Sequence, residues 1–115
     1  MSFRMLQVDV LSWAKDKDLL HAENADKQFM KFIEEVFEFK SELDLYTAHV
    51  GKMKDLSKVH LKDEMGDIFV TLIILCEQIG VDPEECLSMA YEKISKRKGK
   101  TINGMFYKEE DLSGE

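Results

Sequence analysis

Two acidic segments of the sequence contain the side chains best suited to bind a metal ion. The first reads Glu34-Glu35-x-x-Glu38 and the second reads Glu64-x-x-Asp67. Residues three and four positions apart lie on one face of an α-helix, so each segment places its carboxylates together. Like charges at this spacing destabilise a helix by roughly 0.2–0.5 kcal/mol per pair. Because hard divalent cations such as Mg²⁺ prefer carboxylate oxygens, the pattern predicts a metal-binding carboxylate cage.

The composition indicates one small helical domain. The chain has 115 residues with one proline and six glycines, which leaves few turn residues and favours long helices. We therefore predict an all-α domain over residues 1–107, followed by a flexible tail over residues 108–115. The net charge of −7 argues against a nucleic acid polymer as a partner, since such binders carry a basic face.

The cysteines and the apolar segments indicate the cellular compartment. Cys76 and Cys86 form no C-x-x-C pair and lie in apolar segments, so we predict two buried free thiols in a reducing compartment. The longest apolar run, from Ile68 to Cys76, is much shorter than the roughly 20 residues that span a bilayer. The first residues contain no apolar signal-peptide core. We expect a cytoplasmic protein without a membrane partner.

Apolar periodicity predicts a bundle of four helices with a loop between the second and the third. Their expected limits are about 3–15, 24–46, 57–79 and 82–98, with the loop over about 47–58. Residues 68–76 are apolar on every side of the third helix, which in so small a chain predicts burial against a partner subunit. Trp13 closes the first helix, and the burial habits of tryptophan favour a core position over a ligand contact.

The end of the fourth helix is the one concentrated basic patch in this acidic sequence. Lys93 and Arg97 share a helix face at i,i+4 and could hold phosphate oxygens. Cations at a helix C-terminus also suit the helix dipole, so the simpler interpretation is structural. Each acidic motif taken alone is likewise typical of a solvated helix face. Beyond the patch, Asn103-Gly104 within an apolar segment predicts a turn.

Taken in order, these motifs resemble the MazG-like family of all-α nucleoside triphosphate pyrophosphohydrolases, in particular its short single-domain members from phages and bacteria. The likeness runs from about residue 8 to residue 110, with 25 residues between Glu38 and Glu64. It is carried by Trp13, Gln28 with Lys31, the two acidic blocks, Lys93 to Gly99, and Asn103-Gly104. One position departs from the family pattern, because Phe37 stands where a small residue is usual. A bulky ring there is expected to affect substrate choice more than metal binding.

The resemblance implies a helical bundle completed as a homodimer or a homotetramer (a dimer of dimers). It implies an enzyme that uses Mg²⁺, with Mn²⁺ as a substitute, to split (d)NTP into (d)NMP and pyrophosphate in nucleotide-pool housecleaning. The implied metal ligands are Glu35, Glu38, Glu64 and Asp67. Glu34 is the implied supporting carboxylate, for a second metal or for the attacking water. The implied substrate contacts are Lys31, Lys93 and Arg97 to phosphates, and Trp13 and Asn103 to base and sugar.

Two alternative functions stay open at the level of the sequence. One is a related enzyme that acts on phosphoribosyl-ATP. Substrate assays would distinguish it from a nucleoside triphosphate pyrophosphohydrolase. The other is a non-catalytic helical dimerisation or regulatory module, whose acidic face is solvated or binds a metal structurally. Convergence of the four predicted metal ligands on one point would favour an enzyme over such a module.

Overall fold

The computed structural model describes residues 1–112, and this part of the chain is mainly α-helical. Its helices are α1 (Phe3–Asp16), α2 (Ala25–Ala48), α3 (Gly51–Gln78), α4 (Pro83–Ser95) and α5 (Glu109–Leu112), with a 3-10 turn at Ala22–Asn24. Two strands, β1 (Gly99–Ile102) and β2 (Met105–Lys108), form a small antiparallel sheet. The predicted helical class is confirmed apart from this sheet. Within residues 1–112, none of the helices is both long enough and apolar enough to cross a membrane.

The chain divides into two compact units, Met1–Val81 and a second unit that begins at Asp82. In the first unit, α2 and α3 form an antiparallel hairpin and pack along most of their length, while α1 packs on α3. Only His49 and Val50 separate the two long helices. The hairpin therefore fixes which residues of α2 face which residues of α3.

The predicted loop over residues 47–58 is wrong, because α3 begins at Gly51. Gly51 has φ +59°, a left-handed conformation that suits glycine and lets the chain reverse at once. The Nδ1 atom of His49, which caps α2, lies 2.7 Å from the Oγ atom of buried Ser57 and ties the turn to α3. The polar residues that suggested a loop instead form the solvated face of a helix.

The end of α1 is held in place by a left-handed residue and a buried amide. Asp18 has φ +60°, the N–H of Asp18 donates to the carbonyl of Lys15, and the N–H of Leu19 donates to the carbonyl of Ala14. These two bonds make a Schellman motif. Gln78 of α3 then donates from Nε2 to the Leu19 carbonyl over 2.8 Å. Residues after α1 are thus anchored against α3.

The buried apolar core of a single chain is small. Among residues 1–112, the buried apolar residues are Ala14, Ile73, Ile74 and Cys76. Phe69 stays 43% exposed, because α1 and α2 cover only part of the circumference of α3. The burial of residues 68–76 on every side by a partner subunit remains a prediction. Cys86 is exposed on α4, so the prediction of two buried thiols is correct only for Cys76.

The second unit consists of α4, the β-hairpin and α5. Pro83 occupies the start of α4 after Asp82, as predicted. The strands pair from Gly99 with Lys108 to Ile102 with Met105. Asn103 (φ +52°) and Gly104 (φ +80°) form the connecting turn, since both central residues of a type I′ turn need positive φ.

The hairpin corrects the predicted four-helix architecture at the C-terminal end. The fourth helix ends at Ser95 instead of about residue 98, and the strands follow after three residues, 96–98. Lys108 closes β2 and residues 109–112 form the short α5, where we had predicted a flexible tail. The rest of that predicted tail, residues 113–115, lies outside the described residues.

Candidate metal centre and adjoining groove

Three carboxylates from the two long helices meet at one point. Glu35 lies on α2, and Glu64 and Asp67 lie one turn apart on α3. One oxygen from each of the three side chains lies within 4.8 Å of the others. The antiparallel hairpin produces this convergence, because it places the two acidic motifs at the same level. We refer to these three residues as the acidic cluster.

The other two predicted acidic residues lie differently with respect to the acidic cluster. Glu38 is exposed but adjoins it, since its carboxyl group interacts with those of Glu35 and Glu64. Glu34 points away toward solvent, where its Oε2 atom lies 3.5 Å from Nζ of Lys31. The Nζ atom of Lys31 also lies 3.7 Å from Oε1 of Glu35. Lys31 therefore neutralises one edge of the acidic cluster.

Burial and like charge both disfavour ionisation in the acidic cluster. Burial raises the pKa of Glu35 most, followed by its hydrogen bond to Glu38 and the charges of Glu38 and Asp67, while Lys31 partly opposes the rise. The pKa of Glu64 is raised by burial first and then by the charges of Glu38 and Asp67. These groups therefore hold protons more tightly than ordinary glutamates when no cation is present.

Within residues 1–112, two buried carboxylate oxygens of the acidic cluster have no hydrogen-bond partner. They are Oε2 of Glu35 and Oε2 of Glu64, and Glu35 is only 8% exposed. A buried polar atom without a partner is costly, and native proteins normally satisfy such atoms. A bound cation would satisfy both oxygens at once. This observation is independent of the convergence of charges and points to the same ligand.

We expect the metal-free protein to lose stability as pH rises above the ordinary glutamate pKa of 4.5. Because the pKa of Glu35 and that of Glu64 are raised on folding, the folded state binds more protons than the unfolded state in this window, so the free energy of unfolding falls with pH. Thermal unfolding in a chelator between pH 5 and pH 8 measures this dependence of stability on pH. Glu35→Gln should flatten the slope, whereas Glu34→Gln should not. Equal slopes in all three proteins would contradict the expectation.

A groove of about 300 Å³ opens beside the acidic cluster. It is lined by Trp13, Leu19, Gln28, Lys31, Glu35, Asp67, Val70, Thr71 and Ile74. Trp13 is 51% exposed, so its expected core position is wrong and its ring forms part of the groove wall. Phe37 is also exposed and is not among the residues that line this groove. The groove thus joins carboxylates at one end to apolar and aromatic surface at the other.

Gln28, which carries part of the family resemblance without an assigned role, and Thr71, which belongs to none of the motifs, connect the groove wall to the acidic cluster. Gln28 of α2 donates from Nε2 to the carbonyl of Thr71 over 3.2 Å. The hydroxyl of Thr71 is shared between the backbone carbonyls of Ile68, over 2.9 Å, and Asp67, over 3.1 Å. Helical spacing could have found both, since Gln28 precedes Glu35 by two turns and Thr71 follows Asp67 by one. The sequence contains no comparable pattern that would place Leu19, Val70 and Ile74 in the groove wall.

The remaining predicted substrate contacts belong to the second unit. Lys93 lies in the last turn of α4, Arg97 follows that helix, and Asn103 occupies the hairpin turn. The acidic cluster and its groove are built by the first unit alone.

Comparison with known proteins finds one relative of limited coverage. Over 74 residues, which are 64% of this chain, the sequence is 34% identical to a protein of Haemophilus phage HP1 (strain HP1c1) described as an uncharacterized 18.2 kDa protein in the rep-hol intergenic region. The matched segment covers 39% of that relative, so the chain spans well under half of its length. No family model matches the chain, and no solved structure matches it.

Proposed function

We propose that the protein is a Mg²⁺-dependent nucleoside triphosphate pyrophosphohydrolase, which converts (d)NTP into (d)NMP and pyrophosphate. The observation that carries the proposal is the meeting of Glu35, Glu64 and Asp67 within 4.8 Å, with two buried carboxylate oxygens that lack a hydrogen-bond partner among the described residues. The resemblance of the ordered motifs to the MazG-like family supports the same reaction. Nucleotide-pool housecleaning is the biological role that we infer from it.

The chemistry of the acidic cluster fits Mg²⁺, with Mn²⁺ as a substitute. All candidate ligands are carboxylate oxygens, which hard cations prefer, and the cluster contains none of the histidine or cysteine ligands typical of zinc. Glu35, Glu64 and Asp67 would hold the ion, with Glu38 completing the set at the exposed side. When bound, Mg²⁺ supplies electrostatic stabilisation of the negative charge on the substrate phosphates.

The residues around the acidic cluster are suited to position a nucleotide. Lys31 carries a positive charge at the edge of the cluster, where it would contact a phosphate oxygen. Trp13, on the apolar part of the groove, offers an aromatic face to a base. Positioning of this kind supplies much of the rate in phosphoryl transfer.

The proposed reaction is the attack of water on the α-phosphorus. A bond forms between the water oxygen and the α-phosphorus, while the bond from that phosphorus to the bridging oxygen breaks and its electron pair leaves with pyrophosphate. Glu34, exposed one turn before Glu38 and beside Lys31, is the carboxylate that would accept the proton of the water, because Glu38 is assigned to the metal.

Self-association is part of the proposal, and a helical dimerisation module is the second candidate function. Several large apolar side chains of α1 and α3 stay exposed in the single chain, among them Leu6 and Phe69. Phe3 and Phe69 meet edge to face with ring centroids 5.5 Å apart, which adds to this apolar surface. A second copy of the chain, as a homodimer or a homotetramer, would cover it. Unlike the proposed enzyme, a dimerisation module would hydrolyse no substrate.

The test is a panel of canonical and modified NTPs and dNTPs incubated with the protein and Mg²⁺, with the products separated by chromatography. We expect monophosphate and pyrophosphate, and the ranking of substrates identifies the preferred base and sugar. Diphosphate with orthophosphate would contradict attack at the α-phosphorus. If no nucleotide reacts, phosphoribosyl-ATP is assayed next. Cleavage there supports the related enzyme, and inertness toward every substrate supports the module.

A further inference from the structure

A line of polar side chains runs along the contact between α2 and α3. On α3 each member lies seven residues from the next, and the members are Ser57, Glu64 and Thr71. On α2 and its cap the spacings are seven and 14 residues, and the members are Gln28, Glu35 and His49. Seven residues make almost two turns of an α-helix, so each set lies on one side of its helix. All six residues are buried or half-buried, and we refer to them as the polar seam.

The residues of the polar seam form three pairs across the hairpin. At the turn, the Nδ1 atom of His49 lies 2.7 Å from the Oγ atom of Ser57. At the open end of the hairpin, Gln28 donates from Nε2 to the backbone carbonyl of Thr71 over 3.2 Å. The two glutamates of the acidic cluster form the central pair. The outer pairs are therefore hydrogen-bonded, whereas the central pair consists of two carboxylates that repel each other when both are ionised.

The two outer pairs differ in their distance from the covalent turn. His49 is itself part of the connection between the helices, so the chain keeps that end in register even without the hydrogen bond to Ser57. Gln28 lies 21 residues earlier, which is about 30 Å along α2. There, non-covalent contacts hold α2 against α3, and repulsion in the central pair opposes them. Loss of the Gln28 hydrogen bond should therefore displace the helices more than loss of the His49 hydrogen bond.

The hydrogen bond of Gln28 also reaches the helical turn that carries Asp67. Its acceptor is the carbonyl of Thr71, and the hydroxyl of Thr71 is shared between the carbonyls of Ile68 and Asp67. Because a carbonyl oxygen can only accept, Gln28 must present its amide nitrogen here. On α2, Gln28 precedes Glu35 by two turns. One side chain thus links the helix that carries Glu35 to the turn that carries Asp67.

We propose that Gln28 is a positioning residue, which holds Glu35 of α2 at coordinating distance from the two carboxylates that α3 contributes to the acidic cluster. Mg²⁺ requires near-octahedral geometry at about 2.1 Å, so a small displacement of one ligand helix weakens binding. Residues that orient metal ligands typically contribute about 10- to 100-fold to metal affinity. The inference rests on the metal centre of the proposed function and not on hydrolysis, because a ligand can be misplaced whether or not a nucleotide reacts.

Titration of the full chain with Mn²⁺ tests the proposal, with the free ion measured by electron paramagnetic resonance. Nucleotide is left out, because Gln28 also lines the groove. Gln28→Met keeps the length of the side chain and removes the donor, so the Kd for Mn²⁺ should rise about tenfold. Ser57→Ala is the matched control, because it removes the other outer hydrogen bond where the turn still fixes the register. Its Kd should rise less than about twofold, as expected of a site that shares no partner with the metal ligands.

The melting temperature separates positioning from a general loss of stability. Each variant loses one hydrogen bond between the helices, so in a chelator both should melt about 4 °C lower than the parent protein. A purely structural Gln28 would lower the melting temperature and leave the Kd as in the control. Circular dichroism checks the fold of each variant. If Gln28→Met unfolds, Gln28→Asn replaces it and should show the same rise in Kd, since its amide is one methylene too short to reach the carbonyl.

An unchanged Kd in Gln28→Met, or an equal rise in both variants, would overturn the proposal. If the parent protein binds no Mn²⁺, the metal centre is refuted and the positioning role falls with it. A protein whose Mn²⁺ affinity depends on Gln28 but that hydrolyses no nucleotide upholds the positioning role and refutes only the proposed function.

Discussion

The Asp67→Asn variant is expected to lose about 10³-fold in kcat while keeping its helical structure. Asp67 is the exposed member of the acidic cluster, so replacing its carboxylate with an isosteric amide removes a ligand charge and creates no cavity. Loss of several kcal/mol of charge stabilisation in the transition state corresponds to a rate effect of this size. Initial rates at saturating nucleotide and Mg²⁺, with circular dichroism as the check on folding, measure it.

Asp63→Asn is the matched control for this variant. Asp63 lies one turn earlier on the same helix, is exposed, and stands outside the acidic cluster. The same chemical change there should alter kcat less than about threefold, since the charge of Asp63 raises the pKa of Glu64 less than the charge of Asp67 does. Full activity in Asp67→Asn, or equal losses in both variants, would remove the acidic cluster from the mechanism.

Mg²⁺ is expected to stabilise the protein against heat by about 10 °C at a concentration about 100 times its Kd. A ligand that binds only the folded state contributes about 2.7 kcal/mol under this condition. The physical source is the acidic cluster, where the ion replaces repulsion between Glu35, Glu64 and Asp67 with coordination. Thermal unfolding monitored by circular dichroism with Mg²⁺ or with a chelator gives the shift.

Glu35→Gln should separate the effect of charge repulsion on the melting temperature from the effect of metal coordination. Repulsion lowers the melting temperature, whereas coordination raises it. In the chelator this variant should melt higher than the parent protein, since a buried charge and its repulsion are gone. In Mg²⁺ it should show little further rise, since a ligand is missing. A variant that melts lower in the chelator and still responds fully to Mg²⁺ would contradict a metal site at Glu35.

Local signals in the sequence predicted several element boundaries correctly. The expected limits of residue 79 for the end of α3 and residue 82 for the start of α4 lie within one residue of the observed Gln78 and Pro83. Asn103-Gly104 is a strong signal for a two-residue hairpin, and it was interpreted only as a turn because each flanking strand has four residues. The start of α3 was missed, since its polar first turns resemble a loop in composition and differ only in their tertiary contacts.

The acidic cluster was accessible from the sequence, whereas the groove beside it was not. In an antiparallel helical hairpin, residues equally far from the turn lie at the same level, and Glu35 and Glu64 each lie 14 residues from it, counted from His49 and from Val50. Which glutamate of the first motif points inward depends on the rotation of α2 against α3, and the structure places Glu35 inward and Glu34 outward. The part of the groove wall formed by Trp13 and Leu19 depends on how α1 packs on α3. This packing leaves no periodic pattern in the sequence.

Because one cysteine is exposed and the other is buried, the reaction rates of the two thiols measure local opening of the protein. Cys86 lies exposed on α4 and Cys76 lies buried on α3, one in each unit, and the sequence contains no third cysteine. A maleimide dye should therefore label Cys86 at the rate of an exposed thiol under native conditions. Cys76 should react only when α3 separates from its neighbours, so its slower labelling rate counts those openings. The ratio of the two labelling rates then reports how often the helical hairpin opens. The measurement needs no engineered cysteine.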